Sequence, residues 1–195
     1  PISAQHGVNM DLLINEIENT IPTPDRDGDA PAELFVARSF DINKPGTTPY
    51  KLTGGILGGS VAQGKFKKGD RIELRPGRLV EEQNKLVAKP LFTTVTGMMT
   101  GGQQVEELHP GGSVSLLTSL DPSIVKGDHL TGSVVGKPGQ LPPTWYELKF
   151  KTTILERIVN VGEDFKVDPL RMNEMLLLNV NSAKTVGAVV DLKKG

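Results

Sequence analysis

The stretch GGSVAQGKF, Gly58 to Phe66, sets Gly59, Gly64 and Lys65 at the G-x-x-x-x-G-K spacing of a phosphate loop. Such a loop needs a hydroxyl after the lysine to ligate Mg²⁺, and a following helix whose N-terminus faces the phosphates. Phe66 has no hydroxyl. KKGDRIELRPG then gives a Gly-Asp turn followed by Ile72 and Leu74 alternating with Arg71, Glu73 and Arg75, the period of a strand. The stretch is therefore read as a tight β-hairpin, with no nucleotide chemistry at Lys65. Other reaction chemistry finds little support. His6, His109 and His129 are far apart and lack metal-ligand spacing, and the absence of cysteine removes thiol catalysis and Cys-type zinc sites. Neither G-x-S-x-G nor H-E-x-x-H occurs. Asp121 and Asp168 each precede a proline and read as turn starters, and NKPG at Asn43–Gly46 lacks the aspartate of N-K-x-D.

What remains is binding. Lys65, Lys67, Lys68, Arg71, Arg75 and Arg78 crowd into a short span opposed only by Asp70 and Glu73. That is either a phosphate-facing patch or the solvated face of an edge strand whose charges prevent aggregation. The formal net charge of -1 hides this unevenness, because residues 1 to 30 carry one Arg against six acids while residues 31 to 142 carry thirteen basic against ten acidic.

The elements that must position these residues are mostly strands. A chain of 195 residues suits one large or two small domains, and 22 glycines with 14 prolines make it dense in turns, without an apolar run long enough for a membrane span. No signal peptide is visible, which with the missing cysteines fits a cytoplasmic protein, and a start at Pro1 reads as a piece of a longer one. Met10, Leu13, Ile14, Ile17 and Ile21 recur at helical spacing, with Asn9 as candidate N-cap and Asp11 well placed against the helix dipole. A lone helix this short does not stand by itself, so its apolar face is expected to belong to a core upstream of Pro1. PTPDRDGDAP follows as an extended linker. From Glu33 the period switches to two. ELFVAR, GGILGGSVAQG, RIELRP, LVAKPLFTTVTGM, SVSLLT and GSVVG predict a closed β-barrel of residues 31–140, with glycine pairs at 54/55, 58/59, 101/102 and 111/112 serving bends, bulges or close ligand approach. GKPGQLPPT, residues 136–144, marks a second boundary. Beyond it WYELKFKTTIL, NEMLLLNVN and TVGAVVDLKK begin another β domain, 141–195, too small for a comfortable core of its own.

ARSFDINKPG, then LTGGILGGSVAQGKFKKGDRIELRPG, then PGGSVSLLTSLDPSIVKGDHLTGSVVG, followed by ILERIVNV and KVDPLRMNEMLLLNV, occur in the order of one family. The chain resembles, essentially end to end, the gamma subunit of archaeal and eukaryotic translation initiation factor 2, a relative of elongation factor Tu. The resemblance implies that residues 1–30 are the last loop, last helix and linker of a GTPase domain, that 31–140 are domain II, and that 141–195 are part of domain III. It further implies a factor that binds GTP or GDP with Mg²⁺ in a domain upstream, carries methionylated initiator tRNA to the small ribosomal subunit, docks an alpha subunit on domain II, and meets a beta subunit through the GTPase domain. On this resemblance Ser3 and Ala4 match the loop that contacts guanine through backbone N–H. Phe40, Gly55, Gly58, Gly59 and Ser60 match the domain II wall for the tRNA aminoacyl end, and Lys65, Lys67, Lys68 and Arg71 could meet acceptor-stem phosphates. No phosphate loop or switch region is present, so neither a bound cofactor nor GTP hydrolysis is expected of this chain alone. Two alternatives stand beside it: a selenocysteine-specific elongation factor, and a barrel that binds only protein.

Overall fold

The computed structural model describes residues 1–155 and 168–193. In chain order the elements are α1 (Met10–Thr20), β1 (Glu33–Phe40), a 3-10 turn (Pro49–Lys51), β2 (Ile56–Gln63), β3 (Phe66–Lys67), β4 (Arg71–Glu82), β5 (Lys85–Thr100), β6 (Gln103–Gln104), β7 (Glu107–Leu108), β8 (Gly111–Thr118), α2 (Pro122–Val125), a 3-10 turn (Lys126–Asp128), β9 (Val134–Gly136), β10 (Met175–Val180) and β11 (Ala183–Ala188). Six strands run in the order β4-β9-β1-β2-β8-β5, and β5 pairs back with β4, so the sheet closes into a barrel as the period-two segments predict. Closure leaves the six strands no free sheet edge over their shared length.

Alternation decides which side chains fill it. Leu34 and Val36 of β1, Leu57 and Val61 of β2, Ile72 and Leu74 of β4, Val95 of β5, Leu116 of β8 and Val135 of β9 are all fully or almost fully buried in one cluster. Phe66 of β3 and Leu108 of β7 pair across the small second sheet and join the same core. Burial of a side chain such as Phe66 contributes about 1.5–3 kcal/mol, which is why a phenylalanine stands where a phosphate loop would need a hydroxyl.

Several expectations change in detail. Gly58–Phe66 is not a hairpin: β2 pairs with β1 and β8, β3 pairs with β7, and Gly64–Lys65 is a corner between two sheets. Gly64 has φ +64°, and a methyl group on it would lie 2.5 Å from the Ala30 carbonyl oxygen, so the corner needs glycine for both conformation and space. RIELRP and LVAKPLFTTVTGM are longer than predicted, since β4 continues through an irregular stretch between Leu74 and Arg78 and forms with β5 an arm that turns at Gln83–Asn84. Asn9 has a left-handed backbone, and its side chain donates to the Pro1 carbonyl at 2.9 Å instead of capping α1. No residue of α1 is buried, and Leu12, Ile14 and Ile17 are exposed. The acidic linker is only partly a linker. Arg26 donates to the Val61 carbonyl at 3.1 Å, the Gly64 N–H donates to the Asp27 carbonyl at 2.8 Å, and the Asp27 carboxylate accepts from the Asp29 and Ala30 N–H groups. Past the barrel, β10 and β11 form a hairpin, and no described residue after Leu141 is buried. Part of ILERIVNV and the start of KVDPLRMNEMLLLNV fall within residues 156–167, outside the described residues.

Candidate functional site

The residues matched to the tRNA aminoacyl end lie on β1 and on or beside β2, and the basic residues Lys65 to Arg71 lie around β3 and the start of β4. β1 and β2 pair from Glu33↔Gln63 to Phe40↔Ile56, and a register shift between Val36 and Arg38 changes the phase of β1. Before the shift Leu34 and Val36 point inward; after it Ser39 is buried while Arg38 and Phe40 face out. The bulge thus aims Arg38 and Phe40 over Gly58. A methyl group on Gly58 would lie 3.6 Å from Arg38 Cβ and 3.8 Å from Phe40 Cε1, ordinary contact distances. Gly58 is the floor of a shallow outer surface walled by an arginine stem and an aromatic ring. Ser60 is half-buried two residues further along β2.

The neighbouring glycines have a different cause. A methyl group on Gly59 would sit 2.0 Å from the Phe35 carbonyl oxygen, and one on Gly55 would sit 2.4 Å from Val125 Cγ2. At these two positions strand-to-strand and strand-to-helix packing alone demands glycine. The pairing of Gly58 with Gly59 in sequence therefore hides two functions, surface and packing.

Arg38 is held from below. Its Nε donates to Asp128 Oδ1 at 2.9 Å, the Ser39 N–H donates to the same oxygen at 2.9 Å, and the Ser39 hydroxyl donates to the Val125 carbonyl at 2.9 Å and accepts from the Leu130 N–H at 3.0 Å. The Arg38 guanidinium, and after it the Ser39 N–H, hold the Asp128 carboxyl below its ordinary pKa, while Asp128 raises that of Arg38. This network, with Asp128 in the left-handed region at φ 61°, was not legible from sequence, since Asp128 lies 90 residues from Arg38.

The lysine cluster is largely neutralised. Lys65 pairs with Asp29 at 3.4 Å, Lys67 with Glu107 at 3.1 Å, Lys68 with Glu106 at 3.2 Å and Arg75 with Glu73 at 2.5 Å. Lys67 is also the main reason that the Glu107 carboxyl lies below its ordinary pKa. Lys65, Lys67 and Lys137 line one depression of about 410 Å³ beneath the Gly28–Ala32 segment. Arg71 has no carboxylate partner among the described residues; its guanidinium stands 5.8 Å from the centre of the exposed Phe92 ring.

Ser3 exchanges two backbone hydrogen bonds with Val8, each 3.1 Å, closing a tight loop over residues 3–8. The Ser3 N–H is thus occupied. The Ala4 N–H has no acceptor among the described residues and is the one of the pair able to donate to a ligand.

Sequence reasoning missed a further surface. Between β1 and β2 the chain makes a long loop whose base is fixed by reciprocal bonds: the Thr53 N–H donates to Asn43 Oδ1, and Asn43 Nδ2 donates to the Thr53 carbonyl, both at 2.7 Å. The Asp41 carboxylate accepts from the Asn43 N–H at 2.8 Å. The loop carries a fully exposed Tyr50 between Pro49 and Lys51. NKPG, set aside as a defective guanine motif, is the footing of this loop.

Comparison with known proteins agrees with this architecture. Residues 146–195 match the family model described as initiation factor eIF2 gamma, C terminal. The chain is 52% identical over 194 residues to the translation initiation factor 2 subunit gamma of Thermococcus onnurineus, covering 100% of this chain and 47% of that protein. It is 49% identical over 189 residues to the subunit of the same name from Methanothermobacter thermautotrophicus, covering 97% and 46%. It therefore spans about half the length of the curated relatives it matches. Among solved structures, a bacterial selenocysteine-specific elongation factor EF-Sec is similar with a TM-score of 0.51 at 24% identity, over 70% of this chain and 20% of that one, a likeness of fold alone. The identity to gamma subunits extends through barrel, loops and C-terminal segment alike, and the chain belongs to the translation initiation factor 2 gamma-subunit family.

Proposed function

We propose that this chain supplies the domain II and domain III surfaces of a factor that delivers methionylated initiator tRNA to the small ribosomal subunit, with GTP and Mg²⁺ held by a GTPase domain upstream. The carrying observation is the identity of about one half to gamma subunits along the entire chain. The outer surface of Phe40, Gly58 and the Arg38 stem suits the aminoacyl end of tRNA. An aromatic face can stack on the terminal adenine, and Gly58 lets the ligand approach backbone polar groups without an intervening Cβ. Lys65, Lys67 and Lys68 can serve acceptor-stem phosphates despite their carboxylate partners, because exposed ion pairs are worth only about 0–1 kcal/mol and exchange readily. Arg71, which has no carboxylate partner among the described residues, is the readiest of the four. The Ala4 N–H forms one edge of the guanine site.

Titration of the chain with fluorescent methionylated initiator tRNA at salt concentrations from about 50 to 200 mM tests this reading, since log affinity falls with log salt at a slope set by the phosphates engaged. Phe40→Ala should weaken binding at every salt concentration with the slope unchanged, whereas Lys67→Ala or Arg71→Ala should lower the slope by about one. Binding of equal strength in Phe40→Ala would remove the aminoacyl assignment.

A second reading, protein docking on the same barrel, is favoured by the β1–β2 loop. A loop braced at its base that presents an aromatic side chain loses little entropy on binding, the property of an interface anchor. The alpha subunit is the expected partner. Size-exclusion chromatography of the mixed proteins should show a complex that Tyr50→Ala weakens by tenfold or more.

A further inference from the structure

The buried charge that the proposed surfaces leave unused is Glu73. It lies on β4, opposite Gly136 of β9, and is only 1% exposed, although its side chain is on the non-core side of the strand between core residues Ile72 and Leu74. What covers it is the chain leaving the barrel. Residues 137–140 make a turn, with the Gln140 N–H donating to the Lys137 carbonyl at 3.1 Å and Gly139 at φ +77°. The turn lays the Gly139 N–H on Glu73 Oε2 at 2.8 Å. The other carboxylate oxygen accepts from Arg75 Nε, and Arg75 Nη1 reaches on to the Pro142 carbonyl at 3.0 Å. Leu141 then folds back, 9% exposed, so close that a methyl group on Gly136 would lie 2.6 Å from its Cδ2. Outside this chain of bonds, Lys137 lies 3.9 Å from Asp70.

A buried carboxylate is costly unless paired and hydrogen-bonded; Arg75 of the same strand satisfies one oxygen, and the partner of the other, the Gly139 N–H, is in place only when residues 137–142 are seated. We propose that Glu73 and Arg75 are positioning residues that latch the exit segment 137–142 to the barrel and so set the direction in which the chain departs toward its C-terminal domain. The segment that opens the stretch read from its Gly and Pro content as a domain boundary is, through Pro142, tied to the barrel. The hinge is reduced to Pro143–Thr144, beyond which Tyr146 offers a second tether by accepting the Ala88 N–H at 3.1 Å. This inference does not depend on the tRNA reading.

The test uses the whole chain, which has no cysteines, with spin labels at Gln103→Cys on the barrel and Lys149→Cys beyond the hinge. Measurements are made in a Tyr146→Phe background so that the second tether is removed. The latch predicts a narrow label-to-label distance distribution that broadens at least twofold in Glu73→Gln, together with about tenfold faster thermolysin cleavage at Gln140–Leu141. The double variant Glu73→Gln/Arg75→Gln, which buries no unpaired charge, should show both effects even if the single variant folds poorly. Exchange of the Gly139 amide in the unsubstituted chain needs no variant and should be at least a hundredfold slower than that of Gly46 in its exposed turn. Distances and cleavage unchanged in folded variants, even with a lowered Tm, would overturn the proposal, as would a Gly139 amide that exchanges as fast as Gly46.

Discussion

At the scale of single residues, neighbouring glycines separate by what a methyl group would meet. Gly59→Ala places Cβ against the Phe35 carbonyl oxygen, a backbone atom that cannot rotate away, and should cost about 1–3 kcal/mol as an overpacking substitution. Gly58→Ala meets only side-chain and carbonyl atoms at contact distance and should stay within about 0.5 kcal/mol. Urea midpoints of the two variants measure the difference; equal midpoints would mean that β1 and β2 are further apart than described. The same variants sort function from folding, because a loss of tRNA binding in Gly58→Ala cannot be attributed to a collapsed barrel. Asp128 adds a pH dependence. Its carboxyl is held low in the folded state, first by Arg38 and then by the Ser39 N–H. Its stabilising contribution is therefore present above the unfolded carboxylate pKa of about 4 and is lost as pH falls through the lower folded value. Stability should drop on acidification below about pH 4, and Asp128→Asn should make that drop shallower; a parallel pH profile in the variant would assign the acid sensitivity to other carboxylates.

At the scale of elements, the Arg26–Ala30 segment and the exit turn show why composition misreads a linker. Prolines, glycines and acids predict an extended, mobile stretch at 22–31, but Arg26 bonds to the Val61 carbonyl and Asp27 organises the residues after it. Proteolysis should consequently cut within residues 21–25 and spare 26–32, and Arg26→Ala should extend the cleavage window toward Ala30. First cuts within 27–31 of the unsubstituted chain would return the segment to a free linker. The barrel strands themselves were legible, because alternation of Leu34 and Val36, or of Ile72 and Leu74, is a local signal. Their partners were not. Whether β2 folds back on β3 or passes it by is decided by Gly64 fitting beneath Ala30, 34 residues earlier, and by Phe66 finding Leu108, 42 residues later. The site was half legible for the same reason. Phe40 and Gly58 could be named from the family pattern, but the Asp128 that holds Arg38 beside them, and the carboxylates that quiet Lys65, Lys67 and Lys68, come from segments distant in sequence.

For the whole molecule, the distribution of burial predicts how the chain comes apart. All of the buried hydrophobic residues described lie between Ala32 and Leu141, whereas α1 on one side and residues 142–155 and 168–193 on the other bury none. Cooperative unfolding needs a shared core, so the barrel should melt as one unit and the flanking elements should contribute little to its stability. The single tryptophan, Trp145, makes this measurable. It lies just past the hinge and is 66% exposed, so its fluorescence should report the flank and not the barrel. In a urea titration, far-UV circular dichroism should show one sigmoidal transition with a slope of about 1–3 kcal/mol/M, as expected for a single small domain. Trp145 emission should begin near its solvent-exposed wavelength and shift little across that transition. A large red shift that tracks the dichroism midpoint would mean that Trp145 is buried in solution by elements sharing the barrel's cooperativity. Amide exchange would then have to show β10 and β11 as protected as β1 and β8, in place of the rapid exchange predicted for a two-stranded hairpin that touches the barrel at Gly132 and Ala183 but has no buried residue.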